Sequence, residues 1–258
     1  MVQSAARRWI VVFAASCLAT MPAHASAETL DYDLGVELPL TLGAGGLWLG
    51  LYLADLPATP SPVHGRPEGI DAMSPFRQVD GPVLVSDVLL YGTLAGTAAA
   101  TTVFAGKGSR ATAFGVWAEV FVINGTMTDI TKRAVDRPRP YVYGGMRTGE
   151  ADDYQSFYSG HTSFVASSAF ATARTLDVLR APTTPVRVAL YAGAGALTVA
   201  AGTSRVLAGK HFVSDVLVGG VIGASTGWLI PELHRNTELQ VRLGAGSQRV
   251  SLSVSSPL

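Results

Sequence analysis

Three short stretches of this 258-residue chain hold the side chains with the types and spacing to do chemistry. The first, KRAVDRPRP at residues 132–140, packs four cations and two prolines into nine positions with one acid among them. Pro138 and Pro140 push Arg137 and Arg139 out of the α region, so Lys132 is expected to stay helical while Arg139 is released. Together they can place an ammonium and a planar guanidinium around one oxyanion. The competing reading is a set of interfacial charges flanking a membrane helix, with Asp136 pairing with Arg133 or offsetting excess charge. The second stretch, SFYSGHTSF at residues 156–164, opens an apolar run. Ser159 or Thr162 can cap a helix there, and free N–H groups of a first turn suit a phosphate-like anion. Gly160 permits close backbone approach. His161 can pass a proton to a leaving group, or serve only as a capping or surface residue. The third, SRVLAGKHFVSD, runs from Ser204 to Asp215. His211 and Asp215 are four apart, so on a helix the carboxylate can hold one imidazole nitrogen protonated while the other points outward as a nucleophile. A plain surface ion pair is the bland alternative, and one His with one Asp is too few ligands for a metal. Arg205 adds a third cation suited to phosphate.

The elements that must position these groups are helices. Apolar stretches run at about 40–56, 82–105, 112–131, 162–178, 186–204 and 212–230, each of helical length. Separators such as PATPSPVHGRPEG, GKGSR and RAPTTP carry turn chemistry. The expected fold is all-α, a bundle of about six helices, with a short C-terminal β-hairpin in the alternating tail LQVRLGAGSQRVSLSVS. No GxGxxG follows a strand and no repeat period stands out. The first two stretches bracket the connection between the third and fourth runs, and the third stretch connects the fifth and sixth. In an up-and-down bundle all of them lie at one end, so three cations, a helix mouth and two histidines converge on a tetrahedral phosphate or its mimic.

Residues 1–27 read as an export signal: Arg7 and Arg8 precede WIVVFAASCLAT, and small residues offer cleavage after Ala25 or Ala27. Residues 28–81 then form an N-terminal segment with one apolar helix and a Pro/Gly-rich linker, 82–232 the core and 233–258 a tail. The formal net charge of +0 gives no global argument for nucleic acid. The single cysteine, Cys17, excludes an intramolecular disulfide and a cysteine-based metal cage. With 48% hydrophobic residues, 15% charged residues and a mean hydropathy of +0.31, membrane spans compete with deep core helices. Asp87, Glu119, Asn124 and Asp129 interrupt the apolar runs and would have to face the bundle interior. Lys107, Arg110, Arg174, Arg180 and Arg187 lie toward the connections opposite the three stretches. If the bundle spans, that end is cytoplasmic and the other periplasmic. A cleaved signal followed by six spans gives the opposite parity, which is reconciled if run 40–56 lies in the interface.

These residues resemble the type 2 phosphatidic acid phosphatase (PAP2) and vanadium haloperoxidase superfamily, whose pattern is K-x6-R-P, then P-S-G-H, then S-R-x5-H-x3-D. Lys132, Arg139 and Pro140 fit the first motif. Ser159, Gly160 and His161 fit the second, and Ser204, Arg205, His211 and Asp215 the third, the match spanning about residues 82–230. The resemblance implies a phosphatase acting through a phosphohistidine: His211 attacks, Asp215 orients it, and His161 protonates the leaving oxygen. Lys132, Arg139, Ser159, Gly160 and Arg205 would bind the phosphate, without metal or cofactor. The implied substrate is a phosphomonoester or pyrophosphate, lipid-borne if the bundle lies in a membrane and soluble if it is periplasmic. Two alternatives stand beside it: a vanadate-dependent haloperoxidase, in which His211 ligates vanadate, and a noncatalytic anion- or lipid-binding membrane protein. Tyr158 occupies the place of the usual proline before Ser-Gly-His. That exchange leaves the donor atoms unchanged, so catalysis is expected to survive with an altered loop or leaving-group preference.

Overall fold

A computed structural model describes residues 28–54, 67–146 and 148–236. The proposed export signal and the alternating tail lie outside the described residues. Six long helices appear where the apolar runs placed them: α1 (Glu37–Leu53), α2 (Asp80–Phe104), α3 (Arg110–Val135), α4 (Gly160–Arg180), α5 (Thr184–Leu207) and α6 (Val213–Leu233). Single short turns occur at Gly69–Met73, Pro140–Tyr143 and Ala151–Tyr154. The only sheet among the described residues pairs β1 (Thr29–Leu30) antiparallel with β2 (Arg235–Asn236), so the described N- and C-terminal ends meet.

Local chemistry sets the helix ends. Asp136 closes α3 in the left-handed conformation, φ 48°, and Arg139 follows as extended chain before Pro140 opens a one-turn helix. Ala181 ends α4 in the same left-handed way, and Pro185 sits in the first turn of α5, a position where its missing N–H costs nothing.

Helix α4 is the axis, packed against α6, α5, α2 and α3, with most of its residues buried. Its interior is polar: Ser163, Ser167, Ser168, Thr172 and Thr175 are all buried, and Thr172 shares a 2.7 Å hydroxyl contact with Thr101 of α2. The outer helices turn their large apolar side chains outward instead, among them Leu84, Val88, Val199, Leu217 and Val221. Polar groups inside and aliphatic groups outside reverse the arrangement of a water-soluble bundle. Helices α2, α5 and α6 are long and apolar enough to cross a membrane. The four polar residues that interrupt the apolar runs all find partners: Asp87 with His161, Glu119 with His234, Asn124 with Ser163, and Asp129 with Trp48.

Run 40–56 supplies most of α1, which packs along α3. Helix α1 runs parallel to α3, with Trp48 against Gly125 and the Leu51 carbonyl accepting from Arg133. A Cβ on Gly125 would lie 2.8 Å from the Trp48 ring, so the bare backbone there admits the indole. All six helices therefore alternate in direction, and residues 28–36 lie at the end opposite the three motifs.

Helices α4 and α6 meet along a close seam. Gly219, Gly223 and Gly227 present bare backbone to Ser159, Ser163 and Ser167, which repeat at the same four-residue interval. A Cβ on Gly223 would stand 2.3 Å from the Ser163 carbonyl oxygen, and one on Gly227 2.2 Å from that of Ser167. Small residues at this spacing let helix backbones approach where lipid removes any hydrophobic drive to associate. Gly223→Ala is accordingly expected to lower stability by about 1–3 kcal/mol through overpacking, read as a lower melting temperature in detergent. Gly193→Ala on α5, which meets nothing within 4 Å, should leave the melting temperature unchanged or raise it.

Candidate active site

The end of α3, the mouth of α4 and the α5–α6 turn meet at one end of the bundle. His211 lies between α5 and α6 and is buried, with 1% of its surface exposed. Its Nδ1 faces the Ser156 carbonyl at 2.7 Å, which can only accept, so Nδ1 carries the proton. Its Nε2 faces Nη1 of Arg139 at 3.2 Å, a group that can only donate. The imidazole is thus held neutral with the Nε2 lone pair directed at the cationic side of the site. Burial, and then the charges of Arg139, Arg205, Lys132 and His161, hold its pKa well below the ordinary histidine value. That these four groups act on one buried ring is the convergence the motif order implies.

Asp215 does not hold His211 in the expected way. Its Oδ2 lies 3.7 Å from Nδ1, beyond hydrogen-bonding distance. The carboxylate instead sits in the first turn of α6, where it accepts from the Phe212 N–H at 2.9 Å and Ser156 Oγ at 2.5 Å. Arg137 donates to it at 2.5 Å, to Ser214 Oγ at 2.9 Å and to Asp71 at 2.8 Å. Asp71 in turn accepts from the Ser214 N–H and hydroxyl. Asp215 therefore orients the histidine through Ser156: its oxygen fixes the hydroxyl of the residue whose carbonyl holds Nδ1.

The cations have defined orientations. Arg139, 3% exposed, donates through Nε to the Asp152 carbonyl at 2.7 Å, pairs through Nη2 with the Asp152 carboxylate, and donates through Nη1 to the Lys210 carbonyl at 2.9 Å. Burial would raise the Asp152 carboxyl, but Arg139 and then Lys132 outweigh it and hold its pKa at about 2. Lys132 donates to the Gln155 carbonyl at 3.1 Å and lies beside Gly160, where an added Cβ would approach its Cε to 3.7 Å. Arg205 is buried, donates to Ser86 Oγ at 3.2 Å, and keeps an Nε with no partner among the described residues. Lys210 lies over the Tyr141 ring at 5.0 Å.

Ser159 caps α4, its hydroxyl accepting from Thr162. Its own N–H is engaged by the Asp215 carbonyl at 3.1 Å, so the anion-facing donors of this mouth are the first-turn N–H groups of Gly160 and His161, which have no intrahelical acceptor. His161 Nε2 contacts Asp87 Oδ1 at 2.8 Å, and Arg205 approaches the same oxygen at 3.9 Å. Tyr158 is fully buried, with its hydroxyl accepting from Thr128 of α3 at 3.2 Å. The loop is anchored there by a side chain driven into the bundle, where proline would have stiffened the backbone. Ser204 stays outside the constellation, its hydroxyl turned back onto the Ala200 carbonyl of its own helix. Asp71, Asp87, Arg137, Asp152 and Ser156 complete the site, and sequence reasoning assigned none of them to it. Asp87 did carry a signal, as an acid in an apolar run.

An α-helical bundle that gathers two histidines, three buried or half-buried cations and a helix mouth defines the class of fold and site the motifs imply. Residues 113–238 match the PAP2 superfamily. A similar solved structure is that of the transmembrane PAP2-type phosphatidylglycerolphosphate phosphatase from Bacillus subtilis. It is 18% identical, and the match covers 86% of this chain and 92% of that one at a TM-score of 0.47. No curated protein matches.

The geometry sets the pH dependence. A His211 that attacks phosphorus must be neutral, and its pKa is depressed, so for that reaction the acid limb of kcat/KM is expected below about pH 6.5, the ordinary histidine value. A His161 that gives its proton to the leaving oxygen must be protonated; burial first and then Arg205 lower its pKa to about 4, and the Asp87 carboxylate opposes them. Asp87→Asn should therefore move the basic limb to lower pH and leave the acid limb in place, as measured by phosphate release across a pH series.

Proposed function

We propose that the protein is a phosphatase that hydrolyses a phosphomonoester or pyrophosphate of a lipid through a phosphohistidine on His211. The observation that carries this reading is the neutral His211 ring, with Nδ1 tied to the Ser156 carbonyl and Nε2 turned toward Arg139. In the first step the Nε2 lone pair attacks phosphorus as the bond to the leaving oxygen breaks, and His161 gives that oxygen its proton. In the second, water attacks the phosphorus, gives a proton to His161, and the P–N bond breaks to release orthophosphate and restore His211. Lys132, Arg139, Arg205 and the N–H groups of Gly160 and His161 stabilise the charge that builds on the equatorial oxygens. The reaction so written uses no metal or other cofactor.

Two features support a lipid substrate. Three helices are fit to cross a bilayer. An apolar furrow lined by Val88, Leu89, Gly92, Thr93, Gly96 and Leu197 starts one residue beyond Asp87 and runs along α2 away from the site, a course suited to a hydrocarbon chain whose phosphate lies at His161. With phosphatidic acid, phosphatidylglycerol phosphate, undecaprenyl pyrophosphate and p-nitrophenyl phosphate as probes, the lipid phosphates should be hydrolysed with the higher kcat/KM. His211→Ala should lower turnover by at least about 10³-fold and abolish acid-labile, base-stable labelling by a ³²P-phospholipid. Full turnover by His211→Ala would overturn the proposal, and a preference for the soluble ester would remove its lipid part.

We further propose that the site faces the periplasm, because Lys107, Arg110, Arg180 and Arg187 gather toward the other end of the bundle. With alternating helices this sets residues 28–36 on the cytoplasmic side, an arrangement a cleaved export signal would not produce. In a Cys17→Ser background, a membrane-impermeant thiol reagent applied to intact inner-membrane spheroplasts should label Glu150→Cys at the site end. Gly108→Cys at the other end should react only after lysis. The reverse pattern would place the site in the cytoplasm.

A further inference from the structure

Glu119 has no part in the phosphate chemistry, yet it is a carboxylate buried in an apolar helix toward the opposite end of the bundle. Its Oε2 lies 2.9 Å from Nε2 of His234, the residue that follows α6. His234 donates from Nδ1 to the Asp31 carbonyl at 2.9 Å, which fixes the ring and turns Nε2 inward toward Glu119. An imidazole whose far nitrogen is tied to a backbone carbonyl is the usual outer support of a metal-ligating histidine. Glu37, in the first turn of α1, brings a third donor, and the three ligand atoms all lie within 4.8 Å of one another. Tyr32 stacks on His234 with ring centroids 5.5 Å apart and packs against Gly115, roofing the group.

Charge is the second observation. Glu37 is half-buried, and its carboxylate lies within 4.8 Å of the ligand atoms of Glu119 and His234. Two carboxylates whose oxygens lie within 4.8 Å of one imidazole nitrogen stay net negative even when that imidazole is protonated, and a low-dielectric setting penalises this. A divalent cation balances both carboxylates and leaves the histidine neutral. One nitrogen and two carboxylate oxygens suit zinc and its first-row neighbours better than calcium or magnesium, which take oxygen ligands alone.

We propose that Glu37, Glu119 and His234 form a structural site for a divalent transition-metal cation of the zinc type, which ties the start of α1 and the β1 segment to α3 and the end of α6. The three ligands come from sequence positions 37, 119 and 234, so the cation closes the described chain end to end at the face away from His211. It takes no part in phosphate release.

The test uses the full chain in detergent, freed of any affinity tag, stripped with chelator and then dialysed against limiting Zn²⁺. Metal content by mass spectrometry should return to one zinc per chain, with a rise in melting temperature that Mg²⁺ does not reproduce. Glu37→Gln, at the partly exposed edge of the cluster, should weaken zinc binding by about 10–100-fold, the range seen when the support of a metal site is lost, while the stripped protein melts as the wild type does. Glu119→Gln and His234→Ala should abolish retention, whereas His211→Ala retains the metal. The proposal is overturned if the wild type holds no stoichiometric zinc, or if Glu37→Gln and Glu119→Gln bind it as tightly as the wild type. The cluster would then be an ion pair between His234 and Glu119 beside a protonated Glu37.

Discussion

The contact of bare backbone on α6 with the Ser159, Ser163 and Ser167 carbonyls of α4 is the constraint on which the rest of the structure depends. In a bilayer, apolar side chains gain nothing by leaving lipid for a neighbouring helix, so close approach must come from van der Waals contact and polar pairing. Three glycines at four-residue intervals supply it. At the top of this seam the Ser159 N–H reaches the Asp215 carbonyl. The start of α4, with Gly160 and His161, is thereby locked beside the start of α6, with His211 and Asp215 just before and within it. The catalytic histidines of the proposed reaction come from different helices, and the seam sets their spacing.

Around that seam the site is a problem in charge. Lys132, Arg139 and Arg205 are gathered where water is scarce, and each has its orientation fixed by carbonyls, hydroxyls or acids of the chain itself. Asp87, Asp152 and Asp215 offset part of the positive charge. The uncompensated part is what would attract the phosphate of the proposed reaction, and with burial it disfavours protonation of His211.

Much of this was legible in the sequence, because the motif residues are local and their separators carry proline and glycine. The six helices follow from apolar runs of helical length, and the release of Arg139 follows from Pro138 and Pro140. What was not legible depends on distance along the chain. Asp71 reaches Ser214 across 143 residues and Arg137 reaches Asp71 across 66, and no periodicity announces such pairs. Ser156 acts through its carbonyl as well as its hydroxyl, and a carbonyl has no residue-type signature. Asp87 and Glu119 were visible as misfits in apolar helices, but the identity of their partners required the fold. The glycine interval of α6 passed unread inside a run that registered only as apolar. The docking of Trp48, from run 40–56, into Gly125 of α3 depends on a partner helix that its own sequence does not reveal.

The pairing of Asp152 with Arg139 would matter at the end of the proposed reaction. A guanidinium already engaged on two of its edges offers an incoming dianion less than its full set of donors, so orthophosphate left in the cleft is gripped less firmly than five free N–H bonds would allow. Weak hold on the ground state with undiminished hold on the developing charge favours kcat over tight binding. In the proposed reaction, a half-exposed carboxylate that can reclaim its arginine would act as a displacer, easing the spent anion out before the next substrate docks.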